Sequence, residues 1–145
     1  MMQVHHILSV KGDAVATVTP DAAISDAVEQ LRERGVGALV VSTDGHRIEG
    51  ILSERDIVRR LAVDGPNIMD IPVRSVMTEE VMTCGVNDDT DVLMRNMTDH
   101  RVRHLPVVDD GGVLCGIVSI GDVVKARLSE LENENQALFD YIQGR

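Results

Sequence analysis

Gly50-Ile51-Leu52-Ser53-Glu54-Arg55-Asp56-Ile57-Val58 and Gly116-Ile117-Val118-Ser119-Ile120-Gly121-Asp122-Val123-Val124 are two versions of one nine-residue pattern. Each opens on a glycine and a short apolar run, as a covered strand does, and then places Ser with Asp three residues on. Ser followed at that spacing by an acid resembles a capping arrangement, so each pattern is a strand handing over to a helix. Such a junction has two uses. It caps and turns the chain, or it also presents helix-start N–H groups, a hydroxyl and a carboxylate to a ligand. A carboxylate there can accept both hydroxyls of a ribose, and its recurrence in both copies favours the ligand use.

Outward from these junctions the self-similarity continues without a gap. Val36, Leu39 and Val41 match Val102, Leu105 and Val107, and Asp44-Gly45 matches Asp110-Gly111. Ala27 and Leu31 match Leu93 and Met97. Ungapped similarity of this extent marks two copies of one structural unit. Residues 15–19 and 81–85 read as short extended segments. Residues 22–34 carry apolar residues at helical spacing, with Asp21 as the expected N-cap and Gly35 as the stop. Strands are expected at 37–42 and 47–52, and then a helix with Ile57, Val58 and Leu61 on its apolar side. The second copy repeats this with a helix over 89–99, strands over 104–108 and 113–118, and a last helix from Ile120. Residues 65–72 separate the copies. Val73 to Met77 reads as a short helix entering the second unit, and Ile7 and Val10 hold matching places before the first. Neither small unit buries enough alone, so the two are expected to pair.

Composition narrows the function. The chain has 145 residues, 43% of them apolar, with one Phe, one Tyr and no Trp, so the core must be aliphatic. Stacking platforms for single-stranded nucleic acid are therefore not expected. The net charge of -10 opposes duplex binding while leaving room for one small anion at a local basic cluster. No apolar run reaches membrane-spanning length and no secretory signal pattern is present, so a cytoplasmic protein without a membrane partner is expected. Cys84 and Cys115 read as buried small side chains, with a disulfide or redox pair as the other reading. His5-His6 lacks further ligands at metal spacing. No Walker loop, GxSxG, HExxH or paired Cys and His supports catalysis, and the expected protein is not an enzyme.

Basic residues gather twice, at Arg55, Arg59 and Arg60 and at Arg101, Arg103 and His104. Strand alternation would send Arg103 and His104 to opposite sides, so at most one is expected to face a given pocket. The first repeat has Gly37-Ala38 where the second has Arg103-His104, so the two sites are not expected to be equivalent. Beyond the repeat, Val124, Leu128, Leu131, Asn135, Leu138 and Ile142 form a heptad stripe containing one Asn. It fits either a helix lying on its own domain or a seam between two subunits.

Taken together, Arg103-His104-Leu105-Pro106-Val107-Val108-Asp109 and the two Ser/Asp junctions resemble a tandem cystathionine-beta-synthase (CBS) domain pair, or Bateman module, of the free-standing bacterial type. The resemblance covers about Ile7 to Arg127. It implies an α/β (α+β) fold of two pseudo-symmetric βαββα repeats packed through their sheets. The implied divisions are residues 7–65, residues 73–127, and a C-terminal helix extension over 128–145. It implies clefts between the repeats for an adenosine-containing ligand: AMP, ADP, ATP, NAD or S-adenosylmethionine. Asp56 or Asp122 would take the ribose, with Ser53 or Ser119 beside it. Thr19, Ile24, Val36 and Gly37 would serve the base at the Asp122 site, and Gly85, Thr90, Val102 and Arg103 at the Asp56 site. His104 would face phosphate, a role for which Ala38 offers nothing in the first repeat. A homodimer and an unknown partner protein, with no nucleic acid, complete the implied picture. The alternative is a ligand-free dimerising adaptor.

Overall fold

The computed structural model describes residues 2–144. The chain runs through α1 (Val4–Lys11), β1 (Thr17–Val18), α2 (Ile24–Arg34), β2 (Ala38–Val41), β3 (Gly50–Ser53) and α3 (Glu54–Asp64). Two short 3₁₀ turns, Pro66–Asp70 and Val73–Ser75, lead into the second half. There β4 (Cys84–Gly85), α4 (Thr90–His100), β5 (His104–Val108), β6 (Leu114–Ser119) and α5 (Ile120–Ile142) follow. Each half forms a three-stranded sheet in which the middle strand pairs parallel to the first and antiparallel to the last.

The elements form for local reasons. In α2 the buried Ile24, Ala27 and Leu31 fall on one face, and Gly35 closes the helix in the left-handed conformation. The expected cap at Asp21 is not made. Ala23 occupies the N-cap, and Asp21 pairs instead with Arg74 of the linker. The strand expected over 47–52 is shorter than that, and β3 begins only at Gly50. The helix α3 buries Ile57 alone. Val58 is 62% exposed, so the apolar side expected there is not a core face.

Two aliphatic cores result. Val18, Ile24, Leu39, Leu52 and Ile57 centre the first, and Leu93, Met97, Leu105, Val118 and Val123 the second. The segments between repeats are exchanged. Val4 and Ile7 of α1 pack into the second core, while Ile68 and Val73 of the linker pack into the first. Backbone hydrogen bonds fix both exchanges, from Val4 to Asp88 and Thr90 to Met2 on one side, and from Ile24 to Ile71 and Val73 to Ala22 on the other. This reverses the expectation that Val73 enters the second unit and Ile7 serves the first. Val10 is 86% exposed and joins neither core. The exchange follows from geometry: a short segment next to one repeat reaches the open sheet of its neighbour, where apolar area is still uncovered.

Alternation along the middle strands turns Leu39 and Val41 toward their helices and Ala38 and Val40 away. Ala38 and Val40 are nonetheless buried, as is Pro106 in β5, because the two repeats pack through these sheet faces. A hydrogen bond from Leu114 N–H to the His46 carbonyl adds a further link between the halves.

Candidate functional site

Both Ser/Asp junctions close the same way. The Asp56 N–H donates to Ser53 Oγ at 3.2 Å, and Asp56 Oδ2 accepts from Ser53 N–H at 3.0 Å. At the second junction the corresponding distances are 3.1 Å and 2.9 Å. The first helical N–H of each is also engaged: Glu54 donates to the Gly37 carbonyl, and Ile120 to the Arg103 carbonyl. The Ser and Asp therefore do cap their helices, and each carboxylate keeps an oxygen beyond its cap.

The surroundings of the two carboxylates differ. Asp56 borders an open cleft of about 470 Å³. Gly37, Ile51, Ser53 and the start of α3 form one side. Thr78, Glu80 to Met82 and His100 to His104 form the other. The cleft thus lies between the repeats, with Ser53 and Asp56 facing Val102, Arg103 and His104. Arg103 and His104 both line it, against the alternation argument, because Arg103 precedes β5 and is free of its pleat. Four arginines, Arg55, Arg59, Arg101 and Arg103, meet three carboxylates, Glu54, Asp56 and Glu80. In an acidic chain this is a local basic face. Arg55 also ties the repeats together through a 3.1 Å hydrogen bond from Nη1 to the Arg101 carbonyl. Arg60 stands apart, bound to Asp64 and the Ser75 carbonyl.

Asp122 is paired from within the chain. Lys11 Nζ, at the end of α1, donates to Asp122 Oδ2 at 2.5 Å and to the Ile117 carbonyl at 3.0 Å. Burial pushes the Asp122 carboxyl up, but the Lys11 ammonium and the Ser119 groups outweigh it and hold it below its ordinary range. At the first junction Thr78 takes that place. Its backbone pairs with Ile51 in both directions, and its hydroxyl donates to Asp56 Oδ1 at 3.3 Å. Thr78 thus engages the oxygen that the Asp56 cap leaves over, whereas Lys11 neutralises Asp122 at its capping oxygen Oδ2.

His104 sits where the two sites adjoin. Burial, and then the nearby Lys11 charge, lower its pKa, while Glu54 and Asp122 pull the other way. Gly37 makes this crossing close. A Cβ there would come within 3.1 Å of both Glu54 Oε1 and His104 Cε1.

Of the other residues singled out in the sequence, Gly85 bonds Asp88, and Thr90 is fully buried with a hydroxyl that makes no hydrogen bond among the described residues. Ile24 lies in the first core, and Thr19 and Val36 are exposed. Gly85 and Thr90, expected at the Asp56 site, do not line its cleft, whereas Gly37, expected at the Asp122 site, does. Sequence reasoning passed over Lys11 and Thr78, although Lys11 and Met77, next to Thr78, hold equivalent places in the two copies. Both cysteines are free, and burial pushes the Cys84 thiol up to about 12. Among the described residues no His, Cys, Asp and Glu cluster could hold a metal, and no helix is long and apolar enough to cross a membrane.

Fold and cleft together define a pseudo-twofold pair of α/β repeats with a polar groove at their junction. A family model for the CBS domain matches residues 9–63 and 73–129, and the chain belongs to that family. It is 44% identical over 130 residues to the mitochondrial CBS domain-containing protein CBSX3 of Arabidopsis thaliana, covering 87% of this chain and 63% of that longer one. The CBS-domain protein ATU1752 of Agrobacterium tumefaciens superposes with a TM-score of 0.83 at 44% identity, covering 87% of this chain and 99% of that one. The CBS domain protein PAE2072 of Pyrobaculum aerophilum, solved in complex with AMP, has a TM-score of 0.78 at 27% identity, covering 91% and 99%.

Proposed function

We propose that this chain is a non-catalytic sensor that binds an adenosine-containing nucleotide between its repeats and signals to a partner protein. The observation that carries this reading is the open cleft in which Asp56 of one repeat faces the basic Arg101–His104 segment of the other. The Asp56 carboxylate, with Ser53 beside it, takes the ribose diol, and the arginines with His104 take phosphate. Val102 and the apolar residues Ile51, Val81 and Met82 supply surface for the base. AMP in the Pyrobaculum relative supports this ligand class, which extends to ADP, ATP, NAD and S-adenosylmethionine. Asp122 with Ser119 forms a second, latent site. Its carboxylate is already neutralised by Lys11, a competition that Asp56 does not face, so the first equivalent enters the Asp56 cleft.

Signalling follows from the cleft's two-sided construction. A ligand touching both repeats favours one relative arrangement of them, and it transmits only the difference in its affinity for two arrangements. Calorimetric titration with AMP, ATP, NAD and S-adenosylmethionine tests the reading. Saturable binding of at least one, lost in Asp56→Ala, is expected. No binding by any of the four would refute it. The other reading, a dimerising adaptor with empty clefts, is favoured by the exposed apolar residues of α5, and would account for flat titrations.

A further inference from the structure

The helix α5 carries two stripes, and its own molecule uses only one. It packs on α4, α1 and β6. Val123 is buried on that side, Ala126 and Glu130 are half-buried, and Arg127 approaches Asp91 of α4. The heptad stripe from Val124 to Ile142 lies on a different side and meets solvent. Leu128, Leu138 and Ile142 are 57%, 58% and 70% exposed. The sole Phe and sole Tyr of the chain, Phe139 and Tyr141, flank its end and are also exposed. From Leu131 to Phe139 every residue is exposed, so this part of the helix has almost no tertiary cover. Isolated helices shorter than about 12–15 residues are marginal in water.

We propose that this stripe is the seam of a parallel, in-register two-stranded coiled coil formed with α5 of a second copy of this chain. The spacing assigns Val124, Leu131 and Leu138 to d positions and Leu128, Asn135 and Ile142 to a positions. In a parallel pair in register, Asn135 meets Asn135 and the two amides hydrogen-bond. An antiparallel pair sets a against d and leaves each amide against an apolar neighbour, burying unsatisfied donors. Charge agrees with the parallel pair. Arg127 falls at g and Glu132 at the following e, so opposite charges meet across the seam, twice by symmetry. Arg127 is already beside Asp91 and Glu130, but a guanidinium has five N–H donors to share. The aromatic side chains broaden the C-terminal end of the apolar face.

Sedimentation equilibrium of the full chain tests the assembly. The wild type is expected at twice the chain mass of 15.8 kDa. Leu131→Lys with Leu138→Lys is expected to halve that mass, because both sites are exposed in the single chain and become buried only in the pair. A monomeric wild type at micromolar concentration, or an unchanged mass in the double variant, overturns the proposal. Orientation is tested separately by Leu128→Cys and Ile142→Cys, each made with Cys115→Ser and oxidised by glutathione disulfide. A parallel pair joins its two chains at both positions. An antiparallel pair joins them at one at most, so failure at either position overturns the parallel register. These readouts are independent of nucleotide binding.

Discussion

Arg101→Gly is expected to make the protein more stable and worse at binding. Arg101 closes α4 with φ 55° and ψ 40°, the left-handed conformation, and is the only non-glycine residue with positive φ among those described. Its counterpart in the first repeat is Gly35, at φ 62° and ψ 36°. The same turn is thus built once with glycine and once with a residue that resists it. Left-handed backbone costs an L-residue about 1–2 kcal/mol, and glycine returns roughly 0.5–1 kcal/mol of that through its greater freedom when unfolded. The net gain on substitution is about 0.5–1 kcal/mol, or roughly 2–3 °C in Tm for a chain of this length. The Arg101 carbonyl, which accepts from Arg55, survives the change. The guanidinium does not, and losing one charge-assisted contact to phosphate should weaken nucleotide binding roughly tenfold. Thermal unfolding and calorimetric titration of one preparation measure both effects. Gly35→Ala is the control: a Cβ there meets nothing within 4 Å, so only backbone strain is added and Tm should fall. A lower Tm for Arg101→Gly would refute the strain argument, and unchanged affinity would remove Arg101 from the phosphate side of the cleft.

Lys11→Met should reduce stability at neutral pH by freeing a carboxylate that the ammonium holds below its ordinary value. A depressed acid stabilises the fold above its unfolded pKa and loses that effect as pH falls through its folded value. The gap between wild type and variant in urea unfolding should therefore be full near pH 6 and close below about pH 4; a gap independent of pH would contradict the pairing. His104, kept neutral by burial first and by Lys11 second, should gain affinity for a proton when phosphate arrives. Binding near pH 7 should then take up protons, detectable as a dependence of the apparent enthalpy on buffer ionisation, and His104→Gln should abolish that dependence. Gly50→Ala should cost about 1–3 kcal/mol in unfolding free energy, because its Cβ would come within 2.9 Å of the Thr78 carbonyl. Gly116→Ala meets only the Leu8 side chain, at 2.8 Å, and should cost less since that side chain can turn away; equal losses would count against this account.

Local chemistry wrote much of this protein into its sequence. The 66-residue echo, the strand-to-helix junctions and the Ser/Asp caps depend on neighbours a few positions apart, and reading them along the chain was enough. The family resemblance through Arg103 to Asp109 and the two junctions was legible for the same reason. The exchange of α1 and the linker between cores was not legible, because the apolar pattern of Val4, Ile7 and Val73 says that they are covered but not by which sheet. Strand alternation also misled at Arg103, whose place outside β5 only the sheet register reveals. Above all, the difference between the two carboxylates was decided in three dimensions. Asp56 and Asp122 have the same local sequence logic, yet one faces an open groove beside Thr78 and the other is paired with Lys11, 111 positions away in the chain. Periodicity reports what a residue needs from its surroundings. Which partner meets that need depends on how the halves pack, and that is a property of the folded chain.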